Sequence, residues 1–317
     1  MVVYGIFRIA WGSGQIEKTG QITIESGQSA SSVWNTIKED EYTTRVLPWK
    51  VYSYRFGAAS KIQAGTYQVE VGESIKEVIQ RLIKGDTVAD ELTVTFPEGF
   101  TEEQMAERLA NRGIGTVKEF TSSTPADFAK DFPFLGLLPA GRTLEGYLFP
   151  DTYNVFGDDT PQDVQRRMLA TFQAKIPSSV MDDIRAQGRT LDEIIIMASI
   201  IEREVIHDED MAKVADVLWK RNDEDTGLYA DATIRYVLNK WDGGLTVQDL
   251  AIDSPYNTRK YKGLPPGPIS NPGIRAIMAA INPTPTDFYY YLSTPNGETV
   301  FAKTNDEHNL NKAKYLR

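Results

Sequence analysis

Apolar positions recur along the chain with two periods, one of two residues and one of three to four, and glycine and proline punctuate the segments between. The strongest helical pattern is Thr190-Leu-Asp-Glu-Ile-Ile-Ile-Met-Ala-Ser-Ile-Ile-Glu-Arg-Glu-Val205. Thr190 and Glu193 form a capping box, and the apolar run behind them is too long for a strand. At about 100° per residue, Leu191, Ile195, Ala198, Glu202 and Val205 share one line. Ile194, Ile196, Met197, Ile200 and Ile201 cover most of the remaining circumference, so the helix is buried nearly all round. Glu202 therefore sits in an apolar stripe, where an ionised carboxylate is costly unless paired. Holding its proton, it suits general acid work near neutral pH; paired with Arg203 or a distant Lys, it is an ordinary helix-end ion pair. Glu204, about 200° round from Glu202, reads with Arg203 as solvated helix surface.

Upstream, an alternating strand leading into an amphipathic helix occurs three times. Gln21-Ile-Thr-Ile-Glu-Ser-Gly27-Gln-Ser29 precedes a helical Ala30–Lys38, and Tyr67-Gln-Val-Glu-Val-Gly72-Glu-Ser74 precedes Ile75–Lys84. Leu92-Thr-Val-Thr-Phe-Pro97-Glu-Gly99-Phe-Thr101 precedes Glu102–Arg112, with Thr101 and Gln104 as a second capping box. Each glycine turns the chain and the Ser or Thr after it caps the helix; no Gly-x-Gly-x-x-Gly nucleotide loop is present. These small β-α units predict antiparallel or mixed sheets in an α+β fold.

Phe120–Leu138 predicts a short helix and a packed loop. Thr143-Leu-Glu145-Gly146-Tyr147-Leu-Phe-Pro150-Asp151-Thr-Tyr153 combines turn residues, three aromatics and two acids. Aromatic faces beside carboxylates suit carbohydrate, and a strand and turn with Tyr and Phe in the core explains the composition equally well. Helices are predicted at Thr160–Ile176, Val180–Gln187 and Asp210–Trp219. In Tyr229-Ala-Asp231-Ala-Thr233, either Asp231 or Thr233 is an N-cap or a substrate contact. Asp253 to Gly273 holds five prolines and three glycines among Tyr256, Asn257, Arg259, Lys260 and Lys262. A chain this stiff predicts an ordered loop, whose cations could balance an acidic ligand or a nearby carboxylate. Ile274–Ile281 predicts a helix, and Tyr289–Ser293 with Thr299–Ala302 a closing hairpin. His308, in a last helix, reads as a capping or core residue.

The 44 acidic and 34 basic side chains among 317 residues leave a net charge of -10, which argues against binding nucleic acid through phosphates. With no cysteine and two histidines, Cys/His metal sites are excluded and a His-based triad is disfavoured. The apolar stretch from Val2 to Trp11 is interrupted by Arg8 and is too short to span a bilayer. It reads as the stub of a trimmed anchor or as no anchor at all.

Three stretches, in order, carry a family resemblance. Ala198-Ser-Ile-Ile-Glu202-Arg-Glu204 resembles the catalytic helix of the endolytic murein transglycosylases, the YceG-like or MltG family. Leu144-Glu-Gly-Tyr-Leu-Phe-Pro-Asp-Thr-Tyr153 resembles that family's aromatic segment. Ser254-Pro-Tyr-Asn-Thr and Lys262-Gly-Leu-Pro-Pro-Gly-Pro-Ile-Ser-Asn-Pro-Gly273 resemble its proline-rich loop. The resemblance implies an N-terminal stub over 1–19, LysM-like β-α modules over 20–90, and a mixed α/β catalytic domain over 91–317 built round a buried catalytic helix.

It further implies cleavage within peptidoglycan glycan strands that leaves 1,6-anhydro-N-acetylmuramic acid ends. Glu202 would be the catalytic acid, and Glu145, Tyr147, Asp231, Tyr256 and Asn257 the substrate-binding residues, with no metal or organic cofactor. Expected partners are glycan strands and cell-wall synthesis enzymes, at the extracytoplasmic face of a bacterial membrane that is reached only through an N-terminal anchor. Three departures from the family pattern are the usual N-terminal transmembrane helix, of which a stub at most is expected here, Ala230, where proline is common and fixes the loop more, and Arg203 for lysine at a surface position. Two other functions fit the same residues: a hydrolytic muramidase with Glu145 or Asp231 as second acid, and a non-catalytic glycan-binding scaffold.

Overall fold

The computed structural model describes residues 14–87, 92–157, 159–205 and 207–316, so the apolar stretch from Val2 to Trp11 lies outside the described residues. The chain forms two compact units, Met1–Leu92 with Phe156–Asp158, and Thr93–Val155 with Asp159–Arg317. The fold is α+β and helix-rich, and each sheet among the described residues has two strands.

In the first unit β1 (Gly20–Ile24) pairs antiparallel with β2 (Gly65–Val69), Ile22 opposite Tyr67. Their alternating apolar face buries Ile22, Ile24, Tyr67 and Val69 against α1 (Ala30–Glu39) and α3 (Ile75–Lys84). Ser29 caps α1, and Ser74 with Glu77 closes a capping box on α3. Between the strands lies α2 (Val46–Phe56), which the sequence pattern does not announce. Only Trp49 of this helix is buried, so it lacks the apolar stripe that marks its neighbours. Pro48 falls in its first turn, where a missing N–H costs nothing.

The third β-α repeat belongs elsewhere. β3 (Leu92–Thr95) pairs with β4 (Thr152–Val155), and Phe96 N–H donates to Asp151 O at 2.9 Å. It then leads into α4 (Glu102–Ala110), held by the expected Thr101–Gln104 box. Two short helices, α5 (Val117–Thr121) and α6 (Pro125–Phe128), then α7 (Pro161–Lys175) and α8 (Ser178–Ala186), build one side of the larger core.

The axis of this unit is α9 (Leu191–Glu204), with Thr190 and Glu193 in the expected capping box. Every residue from Ile194 to Ile201 is buried, as the all-round apolar pattern predicts. Around it pack α8, α10 (Asp208–Asp223), α11 (Asp231–Leu238) and α13 (Ile274–Ile281), the last following the short α12 (Val247–Leu250) and the proline-rich loop. Trp219 Nε1 of α10 donates to Ala280 O of α13 at 2.9 Å. The hairpin forms as β5 (Tyr290–Ser293) and β6 (Thr299–Ala302), followed by α14 (Asn305–Tyr315) with His308 stacked on Tyr290.

Candidate active site

The C-terminal half of α9 is joined to the proline-rich loop through Ser199, the one polar side chain within its buried run. Ser199 Oγ donates to Ile196 O at 2.7 Å and accepts Ile269 N–H at 3.0 Å, while Ser270 Oγ donates to Ser199 O at 3.2 Å. Asn271, also buried, ties in two further segments. Its Oδ1 accepts Gly146 N–H and Leu148 N–H at 2.9 and 3.0 Å, and its Nδ2 donates to Phe100 O and Glu145 Oε1 at 3.0 and 2.9 Å. Its backbone pairs with the strand-to-helix turn, N–H to Phe100 O at 2.8 Å and O from Gly99 N–H at 2.9 Å. Gly146 must be glycine here: its φ is +91°, and a Cβ would lie 2.5 Å from Pro268 and 2.8 Å from Ile195.

This lattice brings the loop's end to Glu202. The carboxylate is half-buried, and its Oε2 accepts the Gly273 N–H at 3.0 Å. Burial raises its proton affinity above the ordinary carboxylate range; the Gly273 bond opposes this, Glu98 adds to it, and Arg275 and Arg203 oppose it more weakly. Glu98 comes from the turn after β3. It lies so close to Gly273 that a Cβ there would sit 1.9 Å from Glu98 Oε1. Arg275 Nη2 pairs with Glu98 Oε2 at 2.5 Å, and its Nη1 with Asp208 at 2.5 Å. Arg203 is half-buried rather than on the surface, because its guanidinium stacks 3.8 Å from the Trp241 ring centre and donates to Gly99 O at 3.3 Å. Two arginines thus hold the turn that carries Glu98.

The other expected site residues lie elsewhere. Glu145 is buried, and its oxygens accept the Glu102 N–H at 3.1 Å and the Asn271 amide. Burial, then the Glu102 charge, pushes its carboxyl well above the usual range, against bonds from Glu102 N–H and the Tyr236 hydroxyl. Glu102 beside it is pushed up to about 7 by burial, opposed by the Thr143 hydroxyl, and its Oε1 has no partner. Tyr147 is fully buried among Phe134 and Phe172 and donates its hydroxyl to Asp192 Oδ1 at 2.9 Å. Asn257 does not face a cleft: it is buried, donates to Leu250 O and Ile252 O at 3.0 and 2.8 Å, and accepts Arg259 N–H at 3.0 Å. Its amide is spent on holding the loop. Tyr256 is half-buried, its ring 5.3 Å from that of Tyr236.

Asp231 opens α11 as its first residue and pairs with Arg259 at 2.7 Å. Lys260 pairs with Asp253 and Lys262 with Asp225, so each of these three loop cations answers a local carboxylate and none answers Glu202. Glu204 is half-buried rather than solvated: its Oε1 accepts Ala232 N–H at 3.1 Å, and burial raises its proton affinity. It lines a cavity of about 730 Å³ with Asp231, Arg259 and Tyr291, a different set of neighbours from those of Glu202. The loop at Ala230 is fixed without proline. Ala230 N–H donates to Thr258 Oγ1 at 3.1 Å and Ala230 O accepts from Thr233 Oγ1 at 2.8 Å.

The sequence pattern singled out neither Glu98 and Arg275 nor the buried pair partner Glu102. A signal existed for Ser199, the one polar residue in a run buried on all sides. None existed for Glu98, since Pro97-Glu-Gly99 reads equally as turn chemistry.

The YceG-like family profile matches residues 22–314. This chain belongs to the YceG-like family. It is 33% identical over 310 residues to the endolytic murein transglycosylase of Bacillus subtilis, covering 94% of this chain and 85% of that protein. To the endolytic murein transglycosylase of Streptococcus pneumoniae strain D39 it is 28% identical over 322 residues, covering 93% of this chain. The YceG-like chain spans 58% of that pneumococcal protein's length. A crystal structure of a YceG-like protein from Listeria monocytogenes superposes with a TM-score of 0.63 at 28% identity, covering 92% of this chain and 98% of that one.

Proposed function

We propose that this YceG-like protein is an endolytic murein transglycosylase, a lyase that cuts peptidoglycan glycan strands, with Glu202 as its acid and base. The observation that carries the proposal is the state of Glu202. It is half-buried at the end of a buried helix, holds its proton more tightly than an ordinary carboxylate, and accepts one backbone N–H at 3.0 Å. A carboxyl that is raised in proton affinity and still half-exposed is suited to general-acid work.

Protonated Glu202 donates to the oxygen between C1 of N-acetylmuramic acid and the next sugar. The C1–O bond breaks, and that oxygen leaves as the hydroxyl of the departing strand. The C6 hydroxyl of the same muramic residue attacks C1 and gives its proton to the Glu202 carboxylate, which closes the 1,6-anhydro ring and restores the acid. Water is not consumed, and because the nucleophile is already on the sugar, one carboxyl serves both steps. The common hydrolytic schemes use a second carboxyl, as the base for water or as the nucleophile. Glu145 is spent on Glu102 and Asn271, and Asp231 on Arg259, which speaks against either in that role.

The exposed part of Tyr256 and the ion-paired Asp231 are proposed as flanking contacts for the strand. The first unit, a strand–helix–helix–strand arrangement followed by a helix, is proposed as a LysM-like glycan-holding module. Among the described residues no helix is long and apolar enough to cross a membrane. The substrate places the protein's work on the extracytoplasmic side, beside the enzymes that extend glycan strands. Mass analysis of digested peptidoglycan tests the proposal: anhydro ends are expected, reducing ends would indicate a muramidase, and no new ends a binding scaffold.

A further inference from the structure

We propose that Glu98, held by Arg275, which Asp208 holds in turn, is a positioning carboxylate that adds to burial in keeping the proton on Glu202 between turnovers, with Arg275 as its counterweight. This rests on Glu202 being the acid of the cleavage proposed above. Three observations place Glu98 in that role. First, Glu98 and Glu202 meet the same residue, since Gly273 gives its N–H to Glu202 Oε2 while its Cα side is closed off by the Glu98 carboxyl. Any side chain at 273 would drive Glu98 away. Second, Glu98 is not left to wander: Arg275 grips it at 2.5 Å and is itself gripped by Asp208 at 2.5 Å, which fixes the direction of both. Third, the turn behind Glu98 is pinned to the catalytic helix by Arg203 donating to Gly99 O at 3.3 Å, and to the proline-rich loop by Gly99 N–H donating to Asn271 O at 2.9 Å.

The charges facing Glu202 come from each element around it. Glu98 arrives from the turn after β3 and Arg275 from α13, with Asp208 of α10 behind it. Arg203 lies on α9 itself, and Arg235 of α11 acts on Arg203 rather than on Glu202. A like charge beside a carboxyl disfavours its ionisation, and an unlike charge favours it. Burial and the Gly273 bond act on the Glu202 proton first, and Glu98 and Arg275 then push it in opposite directions, so their ion pair trims the balance. An acid that had already lost its proton could not begin the reaction, so this balance shifts the alkaline limit of activity that burial chiefly sets.

The test is a pair of opposite shifts. Glu98→Gln should move the alkaline limb of the pH–kcat/KM profile down by about one pH unit, near the low end of what a neighbouring charge does. Arg275→Gln should move it up by a smaller amount, and Arg275→Lys, which keeps the charge, should leave it near wild type. The Glu202 carboxyl resonance, assigned by its loss in Glu202→Gln and followed against pH by carbon NMR, should titrate with the same two shifts without any turnover. Unmoved resonances in both variants, or shifts of the same sign, would overturn the proposal even if the enzyme still makes anhydro ends. Opposite shifts in a protein that yields no anhydro ends would uphold it and sink the proposed reaction instead.

Discussion

Two pairs of carboxyl groups, each joining residues distant in the sequence, do different work in this protein. Glu102 and Glu145 are both buried, and Glu145 is tied down by a backbone N–H and the Asn271 amide. Glu98 and Glu202 are half-buried, and Glu202 has a single hydrogen bond, from Gly273. Burial raises proton affinity in Glu102, Glu145 and Glu202 alike. A tightly held proton therefore does not mark a catalytic acid; what marks it is a proton that can still reach a substrate. The buried pair instead closes the junction where α4, the Gly146 turn and the proline-rich loop meet.

The largest effect expected is at Glu202. Glu202→Gln keeps the shape and loses the proton, so cleavage should fall by at least about 10²-fold, the usual contribution of general acid–base catalysis. Folding and glycan binding should remain, as checked by circular dichroism and a pull-down on purified peptidoglycan. The matching change in the buried junction, Asn271→Ala, should act on stability first. It strips Gly146 N–H and Leu148 N–H of their acceptor and costs about 2–4 kcal/mol by urea unfolding. Activity lost by Asn271→Ala with no change in unfolding midpoint would mean that Asn271 contacts substrate.

The pairs should also differ in how stability follows pH. Glu102 binds its proton up to about 7 when folded, against an ordinary 4.5. Below the ordinary value both folded and unfolded forms are protonated, and nothing is lost. As pH rises from there towards 7 the unfolded chain ionises first, so wild-type stability falls, by about 3 kcal/mol over the window. Glu145, raised by burial and then by the Glu102 charge, adds to the loss with the same sign. Thermal melts of Glu102→Gln across pH 5 to 8 should be flatter than wild type. The same sign holds more weakly for Glu202, so Glu202→Gln should be slightly more stable than wild type near neutral pH. A Gln variant less stable at alkaline pH would make Glu202 a structural ion-pair partner. The smallest effect is expected at Asp231, whose partly exposed pair with Arg259 is worth at most about 1 kcal/mol in Asp231→Asn melts.

How much of this was legible in the sequence depends on whether the cause was local. The capping boxes, the all-round burial of α9, the closing hairpin and the isolation of Glu202 on an apolar line follow from spacing within one segment. The roles of Arg203, Glu204 and Asn257 do not. Each is polar in a position that spacing assigns to surface or cleft, and each is claimed by a partner distant in sequence or by its own loop's carbonyls. Trp241 and Gly99 claim Arg203, Ala232 claims Glu204, and the carbonyls of Leu250 and Ile252 claim Asn257. Glu98 is the same case in reverse, a turn residue that tertiary packing carries to the acid. The third β-α repeat matches the first two in pattern, yet its strand pairs with Thr152–Val155, because period-two alternation says which face is apolar and nothing about the partner strand.

Digestion of purified peptidoglycan in heavy-oxygen water, read by mass spectrometry, puts the proton-transfer role of Glu202 to the sharpest trial. Wild type should release anhydro ends that carry no heavy oxygen, because the attacking hydroxyl belongs to the sugar, and Glu202→Gln should release almost none. Heavy oxygen at C1 of most new ends, or turnover by Glu202→Gln within about tenfold of wild type, would contradict it.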